Sequence, residues 1–337
     1  MRLFAFAPTT RPRWPLALQT TIAVGAPIAV GMLVGPPMPG FIAASGAFTL
    51  IFGAALPSTE RARLLPPMAL GLILSAAAGV AVSFSAIAVA IGLVLVAAAA
   101  AFFAYGFRLG PPGPVFFVLL YGLAANVVGT GAVGGGVFLG ALAAGCAFSY
   151  LLAISALALP SARAIRPRRL GELISGPVFD ADSRILVIRV ALTAVVGTML
   201  GLVIETHRLY WIVAASTAVI GFVAHRRGAL QRAVHRSIGT IAGIAVYALL
   251  VLLHPQGALL VLIMMALQFL IEISIVRHYA LALMFITPLV FLLLSGASGG
   301  ATGGPEVIAD RLIDTIVGAG LGAASALLHP RHNRPAP

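Results

Sequence analysis

Twelve apolar stretches, each of roughly 16–25 residues, follow one another along this chain with very few charges inside them. A helix of that length crosses the hydrocarbon core of a bilayer, so a chain that keeps presenting them must fold with lipid as its solvent. The stretches lie at 16–35, 39–57, 64–83, 86–104, 114–130 and 134–159, then at 185–205, 209–224, 237–253, 257–276, 279–295 and 307–328. Gly, Pro and charged residues mark their ends. Apolar residues make up 61% of the chain and charged ones 9%, where a soluble domain carries roughly a quarter. The expected fold is an all-α polytopic membrane protein of about twelve transmembrane helices. The first stretch follows Arg2, Arg11 and Arg13 in the manner of a signal peptide. It leads straight into the second without a convincing cleavage site, so a retained helix is expected.

The net charge of +12 would suit nucleic acid, but the hydropathy excludes that partner. All 21 basic residues are Arg. Without Lys there is no Walker A motif and no Schiff-base lysine, so ATP-driven and pyridoxal chemistry are not expected of this chain. Placing alternate connections on one side gathers Arg2, Arg11, Arg13, Arg61, Arg63, Arg108, Arg163, Arg166, Arg168, Arg169, Arg184 and Arg189 there. Arg226, Arg227, Arg232, Arg236, Arg277, Arg331 and Arg334 join them, which leaves only Arg208 and Arg311 opposite. Nineteen against two predicts that both termini are cytoplasmic. The GC-rich codon usage implied by Arg without Lys points to a bacterium, hence to its cytoplasmic membrane.

A polar segment divides the chain into a first six-helix half (1–160), a cytoplasmic linker (161–184) and a second six-helix half (185–337). At an offset of 170, Phe41–Ser45 meets Trp211–Ala215 and Leu159-Pro160 meets His329-Pro330. The Arg61/Arg63 connection falls opposite Arg232/Arg236, and Tyr105–Arg108 opposite Ile275–His278. An even number of spans per half predicts parallel repeats about an axis along the membrane normal. Small-residue pairs at Gly31/Gly35, Gly136/Gly140, Gly197/Gly201, Gly239/Gly243 and Gly318/Gly322 mark candidate helix contacts.

Ionisable groups within a span are costly and therefore candidates for function. Glu272 lies in the tenth stretch, four residues after Gln268. Asp310, Arg311 and Asp314 open the twelfth, with Asp310, Asp314, Gly318 and Gly322 in one i, i+4 row. Asp314 or Glu272 could carry a proton, and Arg311 could hold an anion. The plainer account is an ion cluster at a helix N-terminus and a Glu272–Arg277 pair. Arg189, Arg232, Arg236 and Arg277 would make an electropositive inner mouth if they converge, although positive-inside topology explains each alone. Tyr210 and Trp211 fit an interfacial belt, or less readily a stacking surface for an aromatic ligand. The Gly-rich run 296–300 with Ser298 fits a nucleophile motif only formally and lacks a later His at the same depth. The seven His show no ligand spacing, and Cys146 reads as packing. No enzyme activity, metal or cofactor is expected.

Tyr210-Trp211, the basic connection after them, Arg236–Gly243, and Arg311 followed by Asp314–Gly318 resemble the fusaric-acid-resistance-like family of the aromatic acid exporters, which is related to plant malate channels. The resemblance covers most of 201–328. It implies export of small organic or aromatic acid anions, driven by protons, through a pathway between six-helix halves lined by basic residues. The partners implied are the lipid bilayer, organic anions and protons, with a homo-oligomer or periplasmic efflux subunits as further candidates. A passive anion channel and a non-transporting membrane scaffold are the alternatives. Bacterial exporters of this type carry large cytoplasmic domains after each helical half, whereas this chain keeps only a short linker.

Overall fold

The computed structural model describes residues 12–163, 165–204, 209–222, 226–297 and 305–329. Arg2, Arg11, Arg208, Arg331, Arg334, His207, His225, His332 and Ser298 of the readings above lie outside them. Each of the twelve apolar stretches holds a helix, and among the described residues there is no strand. The first six are α1 (Trp14–Val34), α2 (Met38–Ile51, with a 3-10 step at Ser45–Ala47), α3 (Ser58–Val82), α4 (Ala86–Gly106), α5 (Val115–Gly129) and α6 (Gly135–Ile154). After two single turns in the linker come α7 (Ala181–Ile204), α8 (Tyr210–Ile220), α9 (Arg226–Val251), α10 (Gly257–Ser274), α11 (Tyr279–Ala297) and α12 (Pro305–Ala324). Nine of the described helices are long and apolar enough to cross a bilayer, while α2, α5 and α8 are shorter.

Two of the short helices, α2 and α8, are interior. Every side chain of α8 except Ala218 is buried, and most of α2 is too. A helix apolar all round belongs inside a bundle. The long helices turn a face outward, where Leu33, Val34, Ile87 and Val203 are exposed as lipid-facing residues are.

Packing follows definite pairs. Helix α1 lies on α10, and α7 lies on α4. Helix α3 packs on α5 and α6, and α9 on α11 and α12. The buried α2 touches α1, α6 and α11, while α8 touches α7, α12 and α5. Close approach replaces bulk at these crossings: a Cβ at Gly239 would sit 2.5 Å from the Ala280 carbonyl oxygen, and one at Gly322 2.8 Å from that of Ser216. Gly136 and Gly140, by contrast, face open space and join no helix contact.

Where a short helix ends inside the protein, its last carbonyls need donors. Arg61 donates to the Leu50 oxygen at the end of α2 (2.8 Å). At the end of α8, Arg232 donates to Ala218 (2.8 Å) and the Tyr105 hydroxyl to Gly221 (2.6 Å). Cations at helix C-termini also complement the macrodipole. One end of the bundle is tied by polar contacts between helix ends. Arg168 pairs with Glu60 (2.7 Å), Arg108 with Asp180 (3.0 Å), and Arg226 donates to the Leu327 oxygen (2.9 Å). Asp180 also accepts the Ser183 N–H at 2.7 Å and so caps α7, which holds its carboxyl below the ordinary carboxylate range.

Candidate functional site

The sequence candidates separate into three places. The first is a chain of buried cations and rings between α8, α9, α11 and α12. From α9, Arg236 donates to the Tyr279 hydroxyl at 3.2 Å, and the Arg232 guanidinium lies 4.6 Å over the same ring. From α12, the Arg311 guanidinium stacks 3.4 Å above Trp211, which in turn stacks on Tyr210. Arg311 lies within electrostatic range of Arg236, Tyr210 and Asp314. Arg236, Arg311 and Asp314 are all buried. The Nε donors of Arg232, Arg236 and Arg311 are buried without a hydrogen-bond partner among the described residues. Gathering guanidinium groups in an interior costs several kcal/mol apiece, on the order of magnitude known for buried ions, unless an anion meets them. Trp211 and Tyr210 are therefore placed against the cation rather than in an exposed belt.

The second place holds Arg189. It is wholly buried, donates from Nε to the Ser325 hydroxyl (3.0 Å), and reaches the Gly322 carbonyl at 3.5 Å. It thus closes the C-terminal end of α12. Gln19 on α1 does the same for α6, donating to the Leu152 oxygen at 3.0 Å.

The third place holds Glu272. Its partner is Arg13 at 3.1 Å, with Arg61 in electrostatic range, and Arg61 also donates to Gln19 Oε1 at 3.1 Å. Arg277 is exposed and Asp310 half-buried. The structure therefore brings Arg232, Arg236, Arg311, Asp314, Tyr210 and Trp211 together and leaves Arg189, Arg277 and Glu272 apart from them. Sequence reading passed over Tyr279, the ring that joins Arg232 to Arg236. It also passed over Gln19, which an offset of 170 places opposite Arg189. Among the described residues no three His, Cys, Asp or Glu side chains cluster as metal ligands.

One further feature lies between α1, α2 and α6. A cavity of about 530 Å³ is walled by apolar residues, among them Pro27, Val30, Gly40, Ala141, Ala144 and Phe148.

These features define a multi-pass helical membrane protein with a buried cationic site in its second half. Residues 187–325 match the model of the fusaric acid resistance protein-like family, so the resemblance read from the sequence is met across the segment that holds Arg189, Arg236, Glu272, Arg311 and Asp314. The chain is also similar to an uncharacterized membrane protein, YvaC, of Bacillus subtilis (strain 168). The two are 32% identical over 157 residues, 44% of this chain and 24% of that protein. The matched segment thus spans about a quarter of the relative's length. No solved structure matches the chain.

Proposed function

We propose that this chain exports small organic or aromatic acid anions across a bacterial cytoplasmic membrane, coupled to protons, with both termini in the cytoplasm. The observation that carries the reading is the meeting of Arg236 and Arg311 in the protein interior with unfilled donors, next to the Trp211 and Tyr210 rings. Guanidinium groups hold carboxylates by paired, charge-assisted hydrogen bonds, and an adjacent ring suits an aromatic acid. Asp314 beside Arg311 is the carboxyl placed to exchange a proton as the anion arrives or leaves. The match to the fusaric acid resistance protein-like family over 187–325 supports a transporter-type role.

The architecture belongs to the same proposal: two six-helix repeats, 1–160 and 185–337, joined by a cytoplasmic linker. At the offset of 170, Gln19 and Arg189 both reach the carbonyl that closes their half's sixth helix, Leu152 or Gly322. The Ser155 and Ser325 hydroxyls donate to those same two carbonyls, at 2.8 and 2.7 Å. The helix pairs α1/α10 and α7/α4 correspond, as do α3/α5 and α9/α11. On that correspondence Ala141, Ala144 and Gly40 stand opposite Arg311, Asp314 and Tyr210, and the apolar cavity lies opposite the cationic site.

The test is efflux of labelled fusaric, hydroxybenzoic and malic acids from cells expressing the chain, with and without a protonophore. Export against a gradient that the protonophore stops, and that Arg311→Ala and Arg236→Ala impair, is the expected result. Purely downhill flux would make the protein a channel. No flux of any acid would refute the transport reading.

A further inference from the structure

Two buried histidines beside the cationic site have no part in the reading above. His235 on α9 stacks on His278, which immediately precedes α11, with ring centroids 5.1 Å apart and planes 23° from parallel. Both are buried. One residue further along each strand of chain, Arg236 donates to Tyr279. The α9–α11 crossing is thus closed by two successive contacts, one between imidazoles and one between a guanidinium and a phenol.

The His278 ring has a defined state here. Its Nδ1 accepts the Leu281 N–H at 3.2 Å, so Nδ1 carries no proton and the ring is the neutral, Nε2-protonated tautomer. In that state His278 caps the N-terminus of α11 and satisfies one of its orphan donors. A proton on Nδ1 would remove the acceptor. It would also place a cation at the positive end of the helix macrodipole and against the His235 ring. The charged and titratable groups on the surrounding elements are Arg232 and Arg236 of α9, Arg277 of the preceding connection, Tyr279 of α11, and Asp310, Arg311 and Asp314 of α12, where Asp314 lies within electrostatic range of Arg311. Glu272 on α10 is engaged by Arg13, and Asp182 pairs with His329 beyond α12 at 3.8 Å. Burial first, and the His235 ring second, hold the His278 imidazole below its ordinary range.

We propose that the His235–His278 pair forms a proton-binding gate at the inner end of the anion path, with His278 Nδ1 as the atom that takes the proton. Protonation uncaps α11 and loosens the turn that carries Tyr279, the residue anchoring Arg236 and Arg232. Those guanidinium groups become available to an incoming anion from the cytosol, and loss of the proton to the cytosol closes the turn again. This inference rests on the export reading for its role and on geometry for the proton site.

The test uses the purified full chain in detergent and in proteoliposomes, with His278→Asn as the key variant. Asn is a good helix N-cap but does not titrate, so it keeps the structure and removes the proton. Unfolding is followed by thiol-dye reaction at Cys146, which is buried. Because the folded state favours the neutral ring, wild-type stability should fall as pH drops through about 6.5, and His278→Asn should flatten that step. Efflux of the transported acid should change several-fold, on the order of three- to tenfold, between inner pH 5.5 and 7.5 in wild type and less than about twofold in His278→Asn. An unchanged stability step in His278→Asn, or none in wild type, overturns the proton site. A stability step removed while the efflux profile persists overturns the gating role. Absence of efflux of every acid from wild type is a failure of the export reading, recognised before any variant is compared, and the stability measurement then decides the proton site alone.

Discussion

Replacing Arg189 separates its two roles, the charged mouth expected from sequence and the helix closure seen in the structure. Arg189→Ala removes a wholly buried side chain with its bonds to the Ser325 hydroxyl and the Gly322 carbonyl, and leaves those two groups their bond to each other. Hydrogen bonds from a charged group contribute about 1.5–3 kcal/mol, and the emptied space adds to the loss. Together these predict a destabilisation of about 3–5 kcal/mol. Arg189→Gln should behave differently. Gln19 already makes the corresponding bond to Leu152 at 3.0 Å, and a neutral amide avoids the desolvation cost of a buried cation. Its stability should stay within about 1 kcal/mol of wild type. The assay is denaturant unfolding in detergent, read by dye reaction at Cys146, which is 2% exposed in the folded chain. If Gln proves as damaging as Ala, helix closure by a neutral donor is the wrong account. If Gln is fully stable yet abolishes efflux, the Arg189 charge is used in transport, as the sequence first suggested.

At the cationic site, Arg311→Ala should raise the substrate concentration for half-maximal efflux about 10- to 100-fold, by loss of one charge-assisted contact. Arg311→Lys should recover only part of that, since an ammonium does not stack flat on Trp211. In the Glu272–Arg13 pair, Arg13→Ala should destabilise by about 3–5 kcal/mol because it leaves a buried carboxylate. Adding Glu272→Gln to Arg13→Ala should restore most of that stability in a double-mutant cycle, and failure to do so would place the Glu272 charge in the transport cycle. Ala141→Leu, which projects into the apolar cavity, should raise stability by about 0.5–2 kcal/mol and leave half-saturation within about twofold. Loss of transport in that variant would assign the cavity to the path.

Much of the fold was legible because the bilayer imposes its own period. Each apolar run read from the sequence holds a helix, and among the described residues nine of these are long and apolar enough to span, including those at Gly135–Ala158 and Ile308–Leu328. The interior position of α2 and α8 was not legible, since a helix apolar all round can face lipid or protein equally well. The site was legible only in part. Arg311, Asp314 and Arg236 stand out as ions within apolar runs, but which of them meet depends on helix crossings. Glu272 illustrates this: sequence offered Arg277, five residues away, while the fold delivers Arg13 from the opposite end of the chain. Tyr279 was passed over and His278 was read only as a span-end histidine, because polar residues are ordinary there and the α9–α11 crossing is what pairs them with Arg236 and His235.

On the proposed repeat, the two halves use one framework for different work. Both close their sixth helix with a polar side chain from the first, Gln19 in one and Arg189 in the other, and with a serine hydroxyl three residues on. That contact is structural, so it persists whether the donor is neutral or charged. Toward the other end of the same helices the halves diverge: Arg311, Asp314 and Tyr210 occupy one, while Ala141, Ala144 and Gly40 border a cavity in the other. A pair of equivalent cationic sites would bury at least two further guanidinium groups, each at a desolvation cost of several kcal/mol, on the usual order for buried ions. Keeping the charge in one half confines that cost to a single place.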